Sequence, residues 1–312
     1  MFRFNQLAIL LNTAVLCSAI LCSSALTTSC RTRSTSQVRT LPNEGFASPE
    51  ASGQFYNNLI AFFEGANLDL SPQQTPLNLS WPLTTEKILL TRFGTPTIVN
   101  LSPPADDVKL AVFHEAVDIV RSSETSDDEV HAPMAGRATV IFDGSPDGHD
   151  ADTYGTAVAI YDPMSHYVIS LLHVSPSDQI KPGQLTDVRL GSVIGHLAPV
   201  QSMKPEFENK FRHTHVSQIN VRDKTLVNPL TNFREYKDTM RPTVKEIYIT
   251  DEAGAKHSDL ISGNLDIVAD AFDRDDQSMR NFEVTFFSYK IVDDKGNTIK
   301  TVQSCNLNFL TE

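Results

Sequence analysis

Apolar and polar positions alternate in short bursts along most of this chain, and polar or glycine-bearing turns separate the bursts. Residues 138–142, 157–161, 167–173 and 215–221 are rich in β-branched and aromatic side chains, with Gly, Pro and Asp clusters between them. That pattern reads as strands joined by turns. No stretch of helical period between them is long enough for a parallel crossover, so an antiparallel sheet is expected. This first group of strands occupies residues 77–230. After a polar connection, residues 244–250, 265–271, 282–291 and 298–304 read as strands of a second unit, 242–312, whose size suits a small Ig-like β-sandwich. Within it, Asp293-Asp294-Lys295-Gly296-Asn297 reads as a hairpin loop. The clearest helical pattern is Phe55-Tyr56, Leu59-Ile60 and Phe62-Phe63 in the polar stretch 30–76. Its apolar spacing predicts one short amphipathic helix laid against the main domain. The fold class expected is mainly β: an antiparallel sheet or barrel-sandwich domain followed by a small β-sandwich. No internal repeat or low-complexity tract stands out.

The front of the chain follows a different pattern. A weakly basic lead is followed by an apolar run from Leu7 to Cys22, then by small residues around Ser23, Ser24 and Ala25. Residues 1–29 therefore read as an export signal. Cleavage before Cys30 would give a lipid-anchored lipoprotein, and cleavage after Ala25 a soluble exported protein. The polar run from Arg31 to Ser36 suits a tether, which favours the lipoprotein. No second apolar run of membrane-spanning length follows, so membrane contact is expected only through an anchor at Cys30. With Cys17 and Cys22 in the signal, only Cys30 and Cys305 remain, too few for a disulfide framework.

Composition changes this picture in one respect. A formal net charge of -12 argues against nucleic acid as a partner. Hydrophobic residues at 40% and charged residues at 21% are ordinary for a globular protein of 312 residues, which is long enough for two domains.

The chemistry concentrates in histidines. His213 and His215 stand at i and i+2 in an extended segment, so both point to one face of a strand. About a hundred residues earlier, His114 and Asp118 offer an imidazole and a carboxylate, both good zinc donors. Three protein ligands plus water is the arrangement of a catalytic zinc. His173 completes a set of five. Taken singly, each histidine is more often a surface or hydrogen-bonded residue than a ligand. His149, His166 and His257 sit among polar loop residues; His131 and His196 adjoin the motifs and would line a cleft.

Five segments in order carry a resemblance: Phe113-His114-Glu115-Ala116-Val117-Asp118, Val130-His131-Ala132-Pro133-Met134-Ala135-Gly136, Tyr154-Gly155-Thr156-Ala157-Val158, Leu172-His173-Val174-Ser175 and His213-Thr214-His215-Val216. Together with the turns at Gly183, Gly191 and Gly195, they resemble the lysostaphin-type (LytM-like) zinc metallopeptidases, which cut peptide cross-links of bacterial peptidoglycan. The resemblance covers half the chain. It implies that His114, Asp118 and His215 hold zinc, that His173 and His213 are the paired catalytic histidines, and that the substrate is a peptidoglycan stem peptide in the periplasm or cell envelope. The chain departs from the family at Ala116, where glycine is usual, at Thr214 and Val216, and across 196–212, which contains no glycine. These changes bear on cleft shape more than on metal binding.

Three other readings stand beside this one. Many LytM-like domains have lost ligands and act as non-catalytic regulators or scaffolds of other wall enzymes in contact with cell-envelope proteins; the intact five argue against that here. The segment Ala132–Gly136 also resembles biotinyl or lipoyl carriers, but a carrier needs a lysine on its central hairpin and none stands between Lys109 and Lys181. The acidic stretches 143–150 and 270–276 could suggest calcium; both read better as solvated loops.

Overall fold

The structure is a computed structural model that describes residues 49–66, 77–84, 87–100, 109–121, 127–142, 156–199, 212–251, 255–257, 265–276, 281–283, 288–293 and 295–303. The apolar leader, Cys30, the tether up to residue 48, the acidic loop 143–150, His149 and Cys305 lie outside them. Among the described residues, one compact unit takes 49–240 with 274–282, and a second takes 241–273 with 283–303.

The larger unit opens with helix α1 (Pro49–Gly65). Five strands follow: β1 (Ile88–Thr91), β2 (Pro96–Asn100), β3 (Lys109–Phe113), β4 (Val117–Val120) and β5 (Glu129–His131). Next come β6 (Gly136–Phe142), β7 (Thr156–Asp162), β8 (Tyr167–Leu172) and β9 (Val174–Pro176). The run closes with β10 (Thr186–Val188), β11 (Val193–Leu197), β12 (His213–Asn220) and β13 (Thr225–Val227). The main sheet has the order β1-β4-β12-β8-β7-β6-β10, with β13 also paired to β12. Strands β5, β11 and β9 form a second sheet, and β2 pairs with β3. These pairings are antiparallel, as the short alternating runs predict.

Register decides which side chains share a face. Directly opposed residues in antiparallel strands point the same way. His215 opposes Asp118 on β4 and Leu172 on β8, while Ser217 opposes Ser170 and Ile219 opposes Val168. Across β7, Ala157, Ala159 and Tyr161 oppose Leu172, Ser170 and Val168. One sheet face is therefore polar at the His213/His215 end and lined by small residues further along.

Helix α1 covers that small-residue region. Phe55, Tyr56, Leu59, Ile60 and Phe63 lie on one helical face and are all buried. Phe63 stacks on Tyr161 at 5.5 Å between ring centroids, and the Tyr56 hydroxyl lies 2.6 Å from Ser217 Oγ. Each such side chain contributes about 1.5–3 kcal/mol by leaving water. The large helix residues fill the space left by Ala157, Ala159, Ser170 and Ser217, as close-packed cores require.

In the smaller unit, β14 (Thr243–Asp251) pairs antiparallel with β15 (Lys256–His257) and β16 (Leu265–Arg274). β17 (Asn281–Glu283) straddles the boundary between the units, with Asn281 and Phe282 counted in the larger one; β18 (Ser288–Val292) and β19 (Thr298–Gln303) form a hairpin of the smaller unit. Its loop is closed by the Asp293 N–H donating to the Asn297 carbonyl at 2.9 Å, with Gly296 at φ 82. The sequence read 282–291 as one strand; the structure has β17 and β18 there, with 284–287 outside the described residues.

Two glycines are required by close backbone approach. A Cβ on Gly136 would come 2.4 Å from the Tyr161 carbonyl oxygen, and one on Gly195 would come 2.3 Å from that of Ser175. Gly136→Ala and Gly195→Ala should each lose about 1–3 kcal/mol in urea unfolding. Gly65→Ala meets nothing within 4 Å and should stay within about 0.5 kcal/mol of the unaltered protein.

Candidate metal centre

Three of the sequence-predicted residues converge to form this site. Asp118 and His215 are brought together by the β4–β12 register. His114 belongs to neither neighbouring strand; it sits between β3 and β4. Its backbone N–H donates to the Thr95 carbonyl at 2.9 Å, and its carbonyl accepts from the Gly94 N–H at 2.6 Å. Its ring Nδ1–H donates to the Arg92 carbonyl at 3.2 Å, which turns Nε2 toward Asp118 and His215.

The separations suit a shared ion. His114 Nε2 lies 3.1 Å from His215 Nδ1 and 3.1 Å from Asp118 Oδ2, and His215 Nδ1 lies 3.0 Å from Asp118 Oδ1. Two ligands on a tetrahedral zinc at about 2.0–2.1 Å stand roughly 3.3 Å apart, so only a small outward movement separates this arrangement from a coordinated one. Among the described residues this is the one His/Cys/Asp/Glu group close enough to hold a metal ion. Two imidazoles and one carboxylate form a donor set that fits zinc, with a fourth position left for water or substrate.

The electrostatics of the metal-free site follow from burial. Burial alone would raise the Asp118 pKa, but the His114 charge and hydrogen bonds from His114 and His215 outweigh it and hold the carboxyl well below its ordinary value. For His114, burial works against the charged form, and Asp118 more than offsets it, so the pKa is raised. For His215, burial prevails over the Asp118 hydrogen bond and the pKa falls.

His173 and His213 stand beside this triplet. Their rings are 5.0 Å apart, and the His173 ring is 6.0 Å from that of His215. Both are buried. His213 arrives by strand parity, two residues before His215. His173 does not: Leu172 opposes His215, so in a regular strand the next side chain would leave on the other face. At φ 65, His173 is in the left-handed region, which breaks β8 from β9 and turns its ring toward His213. For a non-glycine residue this conformation is uncommon, and His166 and Lys224 share it. No sequence signal announced it.

The remaining histidines take other places. His196 is exposed and faces Asp128 at 3.1 Å, and Asp128 also accepts from Arg212 at 3.3 Å. His131 lies 3.0 Å from the Gly191 carbonyl, and His257 2.9 Å from Asp251. His166, read from the sequence as a loop residue, is buried in the β7–β8 turn with its Nδ1 3.4 Å from the Tyr161 hydroxyl. The acidic stretch 270–276 is not a solvated loop either, because Asp275 is fully buried.

No family model matches this chain, and no curated protein matches it. Among solved structures it is similar to Helicobacter pylori Csd3 in a hexagonal crystal, at 19% identity and TM-score 0.30, over 51% of this chain and 33% of that one. The orthorhombic crystal of Csd3 gives 19% identity and TM-score 0.33, over 53% and 37%. The solution structure of lysostaphin gives 12% identity and TM-score 0.33, over 72% of this chain and 90% of that one. The chain thus spans about a third of the length of the Csd3 chains it matches.

Elemental analysis should find one equivalent of a divalent metal in the native protein and none in folded His215→Ala; unchanged content would refute the ligand assignment. Because His114 holds its proton more tightly than a free imidazole, metal must displace that proton. Zinc affinity, read by chelator competition, should therefore climb as pH rises through and beyond about 6.5. A flat profile across that range would count against His114 as a ligand.

Proposed function

We propose that this chain is a zinc-dependent endopeptidase that hydrolyses the peptide cross-links of bacterial peptidoglycan. The observation that carries the reading is a buried His114–Asp118–His215 triplet with donor atoms 3.0–3.1 Å apart and a second imidazole pair, His173 and His213, against it. Bound zinc supplies Lewis acidity, acidifying water to a pKa near 7 and polarising a carbonyl oxygen.

The chain's own residues supply the rest. His114 and His215 hold the ion through Nε2 and Nδ1, and Asp118 adds the negative charge that favours a cation at this depth. His173 and His213 present imidazole N–H groups where negative charge develops on the scissile carbonyl oxygen. One imidazole of this pair also takes a proton from water and returns it to the departing amine. Burial of both rings limits their freedom, so little reorganisation is needed when charge appears. The substrate class comes from the lysostaphin-type resemblance of the five segments. Export directed by residues 1–29, with a lipid anchor at Cys30, belongs to the same reading, since it places the site on the wall side of the membrane.

Purified peptidoglycan would be incubated with zinc and a form beginning after Cys30, and products read by mass spectrometry. Cross-linked muropeptides should disappear, and His173→Ala should slow their loss by about 10²–10⁴-fold. Cutting by the His173→Ala protein at an unchanged rate would exclude His173 from the chemistry. Intact cross-links together with no bound zinc would favour a non-catalytic regulator of other wall enzymes.

A further inference from the structure

The first metal ligand is not held by strand register. It hangs on the turn that follows β1, in which the Arg92 carbonyl accepts from the Thr95 N–H at 3.2 Å and from the His114 ring, while Gly94 and Thr95 grip the His114 backbone. Three of the hydrogen bonds that position His114 therefore come from four residues, 92 to 95. Gly94 is at φ 79, so the turn is a tight one that side chains rarely allow.

That turn is tied down by the side chain of the residue whose carbonyl does the holding. Arg92 Nη2 donates to the Tyr236 hydroxyl at 3.1 Å and to Asp238 Oδ2 at 3.1 Å, and lies 3.8 Å from Asp275 Oδ2. Its guanidinium sits 4.3 Å over the Phe282 ring, an arrangement favoured for arginine. Asp275 has 0% side-chain exposure and Arg92 11%, so the charges are taken from water and are kept only if paired. A cluster drawn from residues 236–238 and 275–282 thus fixes a guanidinium whose own backbone orients the ring of a metal ligand.

We infer that Arg92 is a positioning residue for the metal centre, and that Tyr236, Asp238, Asp275 and Phe282 set metal affinity through it without touching the ion. This rests on the reading of His114, Asp118 and His215 as metal ligands. Outer partners that orient a ligating histidine change metal affinity by about 10–100-fold when lost. Here the carbonyl survives any substitution at position 92, so what a substitution removes is its placement alone.

The test is zinc affinity of the full chain, by competition with a chromogenic chelator, alongside metal-free melting. The Arg92→Met/Asp275→Asn protein loses the cation and the fully buried carboxylate together, while Asp238, with 23% side-chain exposure, still reaches water. It should bind zinc about 10–100-fold more weakly. Tyr236→Phe, which removes a single hydroxyl, should weaken binding by a smaller factor and decides the matter if the double variant does not fold. Leu226→Ala, at a buried position of β13, should lower the melting temperature and leave zinc affinity unchanged, which separates positioning from general destabilisation. Folded variants whose affinity stays within about twofold of native protein, or Leu226→Ala weakening zinc equally, would overturn the inference while leaving the metal centre standing. Native protein that binds no zinc would remove both.

Discussion

A carboxylate with 1% exposure, Asp118, lies inside the larger unit, and such a group survives in a folded chain only with close partners. Asp118 has two, and both are imidazoles: His215, 97 residues on in sequence and across the β4–β12 pairing, and His114, four residues back before β4. Everything that places those rings is therefore part of what makes the core tolerable. In the metal-free state protons and hydrogen bonds supply the compensation. A divalent cation supplies it better, which is why the same buried cluster reads as both a structural demand and a binding site.

Strand parity does most of the placing. Alternation along β12 puts His213, His215, Ser217 and Ile219 on one face, and a slip of one residue would turn all four to the other. The same face continues under helix α1, where Tyr56 meets Ser217 and Phe63 meets Tyr161. Burial, together with the nearby charges of Glu115 and Asp118, pushes the Tyr56 phenol well above its ordinary pKa, so it stays a neutral hydrogen-bonding group. The helix is thus anchored a short step along the strand from the histidines and shares their face of the sheet.

Much of this was legible in the chain itself. Short β-branched runs named four strands of the larger unit, β6, β7, β8 and β12, to within about two residues at each end, because each is an apolar-rich run bounded by turn residues; the shorter strands of the unit carried no such run. The His213/His215 spacing gave a shared face directly, since period two is a property of any strand. The His114/Asp118 spacing was less informative: four residues apart suits a helix as well as a loop, and the actual geometry depends on a turn some twenty residues earlier. Two features had no local signal at all. The left-handed backbone at His173 is imposed by where β8 must stop and β9 begin. The burial of Asp275 follows from Arg92, a partner almost two hundred residues away, so an acidic stretch that looks solvated in isolation turns out to be packed.

The position of β12 has a consequence for the order in which the molecule assembles. Strands β6, β7 and β8 pair as sequence neighbours and need only local turns, whereas β12 must enter between β4 and β8, closing a loop in which His215 and Asp118 are 97 residues apart. The entropy of that closure is on the order of 4 kcal/mol before any contact repays it, so non-local pairing comes late. Until it happens, the two histidines of β12 and the carboxylate of β4 are strangers in a partly formed sheet. A partly folded chain therefore carries no assembled His114–Asp118–His215 cluster, which comes into being only when β12 enters the sheet.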